Sequence, residues 1–321
     1  MAITITPEAL AQSAQKYRKE LLMVITIALQ ASLEHMTLRP GVPYKESVGM
    51  LRGNAQFGPY DPSRKNTANE IIGRDLEVYL GSVIKEFDPN NVLKSIYGSL
   101  ILSGKKLTDT EITKAIIAAE LKSLSTKLNS ALFDAVRNAS GTTSKDLFNG
   151  FDTIAAAEIT AEKITTGIGN RFNFTEAITS SNAYDSLKLM YRAAKDELRE
   201  ETVKMLLPWD IYDAYCDDYQ ATVGAAPYNK EFKKTFLEGS NNLCELVPLS
   251  SKKGSKYIQL TSKKNMLVGT GSGQDMETLN VDRFSAFQVT LSSAILFGAQ
   301  YESIQPEHLL IGKLYEAPEG E

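Results

Sequence analysis

The strongest hydrophobic pattern in the chain predicts one long helix. Apolar residues recur every three or four positions, as on one face of a helix, and no glycine or proline intervenes before Gly141. These residues are Ile117, Leu121, Leu124, Leu128, Ala131 and Ala135. Thr108 and Glu111 match a capping box at the start of the pattern. We therefore predict a spine helix near residues 108–139, roughly 45 Å long at about 1.5 Å per residue.

The start of the chain also follows a helical pattern. Thr6, Pro7 and Glu8 suit a helix start, because they supply a cap, a proline at the first helical position and an acid in the first turn. Apolar residues then recur at helical spacing from Leu10 to Ala28. This helix either packs on its own domain or forms an arm that packs on a neighbouring subunit, and the pattern allows both.

Between residues 182 and 219 the pattern predicts a helix, a strand and a second helix. Asn182 is the expected N-cap of a helix that continues to Leu198. The short apolar run Val203–Leu207 is typical of a buried strand. Pro208 then opens a helix that reaches Tyr219.

From Lys233 onward, short apolar or alternating runs between Gly, Pro and Ser residues predict strands. These strands are Leu243–Leu249, Lys256–Thr261, Asn265–Gly269, Phe287–Leu296 and His308–Ile311. Helices interleaved with strands of antiparallel appearance indicate an α+β fold and not a regular series of parallel βαβ units.

Residues 39–70 contain so many glycines and prolines that no helix can persist there. Only short runs such as Val48–Leu51 are expected to pair as strands. A stretch of this length with so little regular structure is uncommon inside a compact domain and is usually functional or disordered.

Composition and charge narrow the classes of function. The 321-residue chain is 43% hydrophobic and 23% charged, with a mean hydropathy of −0.20, as in an ordinary globular protein. Its 35 basic and 39 acidic residues give a net charge of −4, which argues against a protein that coats nucleic acid. The longest uncharged stretch, Leu21–Leu33, is shorter than the about 20 residues of a membrane span, and acids precede it, unlike in a signal peptide. We therefore expect a soluble intracellular protein.

Few residues are available for catalysis or metal binding. Cys216 and Cys244 cannot form a disulfide framework, and both are expected to be small buried hydrophobic residues. His35 and His308 are too few for a histidine-rich zinc site, and a structural or exposed role is favoured for His308 over that of a catalytic base. Five acids have a spacing that spreads them over a solvated helix face instead of around Mg²⁺ or Ca²⁺. They are Glu197, Glu200, Glu201, Asp217 and Asp218.

Two glycine-containing segments are weak matches to phosphate-binding loops. Gly98–Lys105 has one residue too many between its glycines and lacks the Ser or Thr that follows the lysine. Gly269–Gly273 follows a predicted strand but opens no long helix, so a solvent-exposed turn between strands is the better interpretation. The sequence thus predicts no catalytic, cofactor-binding or metal-binding residues and no cofactor.

The carboxy-terminal half resembles the major capsid proteins of tailed bacteriophages, which have the Hong Kong 97-type fold. The resemblance rests on the order of five segments, which together span residues 182–312. They are NAYDSLKLMYRAAKDEL, VKMLLPWDIYDAYCDDYQ, KKTFLEGSNNLCELVPL, GSKYIQLTSKKNMLVGTGSG and ETLNVDRFSAFQVTLSSAILFGAQYESIQPEHLLIG. With the spine helix included, the resemblance covers roughly residues 70–313 and is strongest after Tyr184.

This resemblance implies a domain organisation within an α+β fold. It implies an N-arm at residues 1–40, an extended E-loop at 41–85 and a P-domain with the spine helix at 86–150. An A-domain is expected at 151–280, followed at 281–321 by strands that return to the P-domain.

The resemblance also implies a structural, non-enzymatic function. It implies self-assembly, by packing and strand addition between subunits, into the icosahedral head shell of a virion made in the cytoplasm of a bacterial host. The expected partners are further copies of the chain in hexamers and pentamers, and scaffold, portal and decoration proteins. DNA is enclosed without sequence-specific binding, and no membrane is involved. Two alternatives stay open: an encapsulin-like nanocompartment shell, whose fold is similar, and a divalent-metal- or nucleotide-dependent enzyme.

Overall fold

The computed structural model describes residues 32–53, 69–87, 109–224, 235–271, 278–283 and 289–316. The α-helices are α1 (Asp109–Ala131), α2 (Phe151–Thr160), α3 (Ala183–Arg192), α4 (Asp196–Glu200) and α5 (Trp209–Val223). The strands are β1 (Thr37–Pro40), β2 (Lys45–Gly53), β3 (Asn69–Glu77), β4 (Tyr79–Phe87), β5 (Arg171–Asn173), β6 (Val203–Leu207), β7 (Thr235–Phe236), β8 (Cys244–Pro248), β9 (Tyr257–Thr261), β10 (Met266–Thr270), β11 (Thr278–Arg283), β12 (Val289–Tyr301) and β13 (Leu309–Lys313). The predicted α+β class is confirmed.

A six-stranded sheet holds most of the predicted strands. Its order is β5-β13-β9-β6-β8-β7, with β5 parallel to β13, β6 parallel to β8 and the other neighbours antiparallel. Four of the predicted strands form here as β6, β8, β9 and β13, with ends close to those expected. The strand predicted at Asn265–Gly269 forms as β10 of the sheet that contains β12. The antiparallel appearance is wrong for the parallel pairs, because an apolar pattern specifies which residues are buried but not the direction of the neighbouring strand.

Alternate residues of this sheet face two separate hydrophobic cores. Met205 and Leu207 of β6 join a helix-side core with α3 and α5, whereas Leu206 joins a spine-side core with α1 and α2. On β13, Leu310 joins the helix-side core and Leu309 the spine-side core. Because both faces are covered, these strands read in sequence as continuous apolar runs.

A second sheet is organised around the long strand β12. One edge of β12 pairs with β4 from Val289 to Phe297. The other edge pairs with β11 in its first half and with β10 in its second half, and β1 lies parallel to β10. The segment 281–321, expected to return to one domain, is therefore divided: β12 lies in this sheet and β13 in the six-stranded sheet.

The long helix ends earlier than predicted. It stops at Ala131, about two turns before residue 139, and Gly141 lies in a later turn. Leu132, Phe133 and Ala135 are nevertheless fully buried in the spine-side core. The apolar stripe therefore continues through the turn after the helix, which explains why the pattern overestimates the length of the helix.

The helix predicted from Asn182 to Leu198 is divided into α3 and α4. Asn182 holds the N-cap position, but α3 ends at Arg192 and the backbone at Lys195 is extended. The buried Leu198 keeps the apolar spacing across the break. Acids in the first turn of α4 favour a new helix start at Asp196, because the N-terminal end of a helix dipole is positive.

Strands β2 and β3 form a separate antiparallel hairpin. The expected pairing of Val48–Leu51 is confirmed and extends to nine residues on each strand, from Lys45 opposite Glu77 to Gly53 opposite Asn69. The described part of this glycine-rich stretch, residues 39–53 and 69–70, is thus more regular than predicted, and Gly49 pairs opposite Gly73 within the ladder.

Several predictions fall on residues that the structure does not describe. The helix at residues 6–28, Thr108 of the capping box and the segment Gly98–Lys105 lie outside the described residues. The end of the segment assigned to the N-arm is described and belongs to the body, by which we mean the two larger sheets and the helices packed on them. Met36 is buried in the spine-side core, and β1 pairs with β10.

Candidate assembly surface

The cysteines and the histidine considered for chemistry occupy structural positions. Cys244 is fully buried in β8, and burial raises the pKa of its thiol. Cys216 is half-buried on α5, where burial also raises its thiol pKa. His308 precedes β13, and its backbone carbonyl accepts a hydrogen bond from Thr261 Oγ1 at 2.7 Å. Neither thiol has the lowered pKa that a cysteine nucleophile requires.

The five acids considered for a metal site are dispersed. Within the described ranges, no three His, Cys, Asp or Glu side chains come close enough to hold a metal ion. Asp217 is exposed, as are the three glutamates near α4, but Asp218 is buried. The expectation of a solvated face is wrong for Asp218, because its Oδ2 accepts the backbone N–H of Tyr184 at 2.8 Å. Asp218 therefore caps α3 from the neighbouring helix α5.

A buried ion pair that the sequence analysis missed lies on the spine side of the six-stranded sheet. Lys252 has no exposed surface, and its Nζ lies 3.2 Å from the Asp152 carboxylate on α2. Gln259 donates to this carboxylate and accepts from Lys252, while Ser255 Oγ donates to it at 2.6 Å. Desolvation lowers the pKa of Lys252. The cluster ties α2 to β9 and is fully occupied by its own contacts.

The glycines of Gly269–Gly273 are only partly described. Gly269 lies buried within β10 and Gly271 is buried just after it. Strands β10 and β11, which this segment connects, both pair with β12. The segment therefore links two strands of one sheet, but its expected exposure to solvent is wrong for Gly269 and Gly271, and residues 272–273 lie outside the described residues.

The base of the hairpin packs closely on the second sheet. Val78, between β3 and β4, is fully buried, and its N–H donates to the Tyr44 carbonyl at 2.9 Å. An added Cβ at Gly298 of β12 would overlap the carbonyl of Glu77, so only glycine permits this approach. The surrounding apolar cluster consists of Val42, Val48, Leu76, Val78, Leu267 and Leu296.

One arginine connects the hairpin to two other elements. Arg74 of β3 donates from Nη2 to Glu158 Oε1 at 2.7 Å and to Gln300 Oε1 at 3.0 Å. Its Nε donates to the Tyr301 carbonyl at 3.1 Å. A cavity of about 360 Å³ lies beside this arginine, between the hairpin, α2 and β12, with Lys163 at its rim.

Strand β4 presents apolar side chains to solvent. Leu80 is 60% exposed and Ile84 is 73% exposed. One edge of β4 pairs with β12, and no other strand of the described residues pairs with its second edge. An edge strand with exposed apolar residues is a template for pairing with another chain. No helix within the described ranges is both long and apolar enough to cross a bilayer.

The sequence matches no protein-family profile and no curated protein. The fold is similar to a chain of the satellite phage P4 procapsid structure that includes the size-determination protein Sid, with 11% identity, a TM-score of 0.57 and coverage of 91% of this chain and 90% of that chain. It is also similar to the capsid of the empty GTA particle, with 11% identity, a TM-score of 0.54 and 90% of each chain covered. The holo-SrpI encapsulin complex from Synechococcus elongatus PCC 7942 matches with 10% identity, a TM-score of 0.51 and coverage of 88% and 86%.

These similarities define the class of fold. They extend over most of both chains in each comparison, while the identity is low. The chain has the fold of the Hong Kong 97-type capsid proteins. The resemblance drawn from the order of five sequence segments is therefore confirmed for the fold.

Proposed function

We propose that this chain is a major capsid protein, a structural subunit that self-assembles into the icosahedral head shell around phage DNA. The fold carries the proposal, because the chain aligns with chains of capsid structures over 91% and 90% of its length. The dispersed acids described above give no support, within the described residues, to the alternative of a metal-dependent enzyme.

Two surfaces are suited to contacts between copies. The edge of β4 that pairs with no strand of the described residues offers backbone N–H and C=O groups to a strand of a neighbour. Exposed Leu80 and Ile84 lie on the same strand, and burying such a side chain is worth about 1.5–3 kcal/mol. The second surface is the β2–β3 hairpin, whose two strands belong to neither of the larger sheets. Contacts of modest strength suffice, since each is repeated around a closed shell.

We propose that the domains follow the family organisation with two adjustments. The hairpin corresponds to the central part of the E-loop at 41–85, and the A-domain at 151–280 holds most of the six-stranded sheet. The N-arm at 1–40 and the E-loop each end in a strand, β1 and β4, of the sheet around β12. We therefore assign β1 and β4 to the P-domain, which also contains α1 from segment 86–150.

On this proposal the partners are further copies of the chain in hexamers and pentamers, with scaffold, portal and decoration proteins as additional partners. The subunit is made in the cytoplasm of the host and resides in the virion. A net charge of −4 suits a container that encloses DNA without gripping it.

An encapsulin-like nanocompartment shell is the second candidate. It is favoured by a TM-score of 0.51 to the encapsulin complex, close to the 0.54 of the GTA capsid. The contents of purified particles distinguish the two candidates, since a phage head contains DNA and a nanocompartment contains cargo protein.

Negative-stain electron microscopy of the purified full chain tests the proposal. We expect closed shells or rings of capsomers, and a monomer at every concentration would contradict a shell function. Ile84→Asp is expected to reduce shell formation without lowering the unfolding midpoint of the subunit, because Ile84 is exposed before assembly.

Ile168→Asp is the matched control, since Ile168 is also exposed, at 44%, but lies in the loop before β5. This variant is expected to form shells. If Ile84→Asp also forms normal shells, the exposed residues of β4 are not part of a contact between copies.

A further inference from the structure

We propose that Arg74 is a latch that sets the angle between the hairpin and the body in the unassembled subunit. Its guanidinium contacts Glu158 on α2 and both Gln300 and the Tyr301 carbonyl on β12. The three acceptors lie on two elements that are far from β3 in sequence. A single side chain of the hairpin is thereby held at a position defined by both helix and sheet.

The connection is reciprocal. Gln300, which accepts from Arg74, also donates from Nε2 to the carbonyl of Asp75 on the hairpin at 3.1 Å. The Arg74 side chain therefore donates to Gln300 of β12, and Gln300 donates in turn to the backbone of Asp75, the residue next to Arg74. Two such bonds in opposite directions resist both rotation and sliding of β3 over β12.

The latch acts where packing leaves space. Near Val78 the hairpin base is fixed by close apolar contacts and by the approach of Gly298. Towards α2, a cavity of about 360 Å³ is lined by residues of the hairpin, α2 and β12, and among them Arg74 Nη2 contacts Glu158 Oε1 at 2.7 Å. In the proposal, the packed residues near Val78 act as a pivot and the Arg74 contacts fix the angle about it.

Because both charged groups of the latch are mostly buried, each depends on the other for its partner. The side chain of Arg74 is 9% exposed and that of Glu158 is 15% exposed. Removing one member leaves the other charge partly buried without its partner, which favours an opened arrangement in which water reaches it. Lys163 differs, because its side chain is 63% exposed at 3.6 Å from Glu158.

The role of this angle in assembly rests on the proposed function, whereas the angle itself does not. If the hairpin projects from every subunit at the same angle, each hairpin contacts its neighbouring subunit with the same geometry. Loss of the latch is therefore expected to produce particles of irregular curvature rather than to prevent subunit folding.

Pulsed electron paramagnetic resonance on the full chain, kept unassembled at low concentration, measures the angle. Spin labels at Ser47→Cys on β2 and Thr166→Cys in the loop before β5, in a Cys216→Ala background, report the distance between hairpin and body. Ser47 and Thr166 are both exposed, and the buried Cys244 is protected from labelling. We expect one narrow distance peak in the parent and its loss in Arg74→Met.

Lys163→Met is the matched control and is expected to keep the narrow peak, because it removes a cation from the same carboxylate without touching the hairpin. Should Arg74→Met fail to fold, Arg74→Lys, which keeps the charge but not the forked geometry, is expected to broaden the peak. An unchanged narrow peak in a folded Arg74 variant would overturn the latch. Absence of shells from the parent would instead overturn the proposed function and leave the distance measurement valid.

Discussion

The six-stranded sheet and the β2–β3 hairpin differ in how they obtain stability. Each face of the sheet is covered by a hydrophobic core, and its buried polar groups include a fully bonded cluster around Asp152. Among the described residues, the hairpin has two strands and is held at its base by a small apolar cluster and the contacts of Arg74. An isolated hairpin is at best marginally stable in water.

The difference separates a region whose contacts lie within the chain from one whose further contacts are proposed to be with other copies. Residues of the sheet have their contacts within the chain, so substitutions there are expected to act on folding. Exposed residues of the hairpin and of β4, such as Asp75 and Ile84, are proposed to contact other copies, so substitutions there are expected to act on association more than on folding. The following experiments test this division, from the largest expected effect on stability to the smallest.

Breaking the buried ion pair is expected to have the largest effect. Asp152→Ala leaves Lys252 buried without its carboxylate, and such a loss typically costs about 3–5 kcal/mol in the free energy of unfolding. Urea unfolding of the unassembled subunit measures this. The double variant Asp152→Ala with Lys252→Met is expected to lose less than the sum of the losses of Asp152→Ala and Lys252→Met, and simple additivity would contradict a direct coupling.

Truncation of the spine is next. Leu128 of α1 is 4% exposed in the spine-side core, and Leu→Ala at such a site costs about 2–5 kcal/mol because a cavity remains. Leu189→Ala on α3 is the control, since Leu189 is 56% exposed and should change stability by less than about 0.5 kcal/mol. Equal unfolding midpoints for the two variants would remove Leu128 from the core.

Removal of the cap on α3 should have a smaller effect. Asp218→Ala takes away the acceptor of the Tyr184 N–H, and loss of a capping side chain costs about 0.5–2 kcal/mol. Asp217→Ala, at the exposed neighbouring position, is expected to leave the unfolding free energy nearly unchanged. A larger loss for Asp217→Ala than for Asp218→Ala would be inconsistent with the observed cap.

The smallest effect is expected at the exposed ion pair of the hairpin base. Lys45 Nζ lies 2.8 Å from Asp75, which lowers the pKa of Asp75 below 3.8 and raises that of Lys45 above 10.5. The contribution of Asp75 is present above pH 3.8 and is lost as pH falls through its lowered pKa. That of Lys45 is present below pH 10.5 and is lost as pH rises through its raised pKa.

The amide resonance of Gly73 on the hairpin should therefore stay constant between about pH 4 and 10 and change outside that window. Salt at about 1 M, where the Debye length is about 3 Å, should reduce these changes. Lys45→Gln is expected to remove the alkaline change, and its persistence in that variant would assign it to another group.

The division between the regions also explains what the sequence could predict. Strands such as Val203–Leu207 were predictable because burial on both faces leaves a continuous apolar run. The end of α1 was not, because the buried residues Leu132 and Phe133 extend the pattern into a turn. The break between α3 and α4 was hidden in the same way, since apolar spacing continues to Leu198.

The polar contacts were the least predictable part of the molecule. Asp152 and Lys252 are 100 residues apart in sequence, and Arg74 and Glu158 are 84 apart. Nothing local marks such residues, because a charge that ends buried in a pair looks in sequence like any surface charge. The family resemblance supplied the class of fold, whereas the residues that anchor the hairpin required the structure.

The order of the strands along the chain determines when the sheet around β12 can form during synthesis. Strand β4 pairs with β12, whose residues follow it by roughly 200 positions, and a ribosome adding about 5–20 residues per second needs on the order of 10–40 s to reach them. The same delay applies to β1, which waits for β10. The sheet that carries the exposed edge therefore forms only after β12 has emerged. A nascent chain cannot present that edge in its final form before then, so the synthesis of β12 sets the earliest moment at which the edge can pair with another chain.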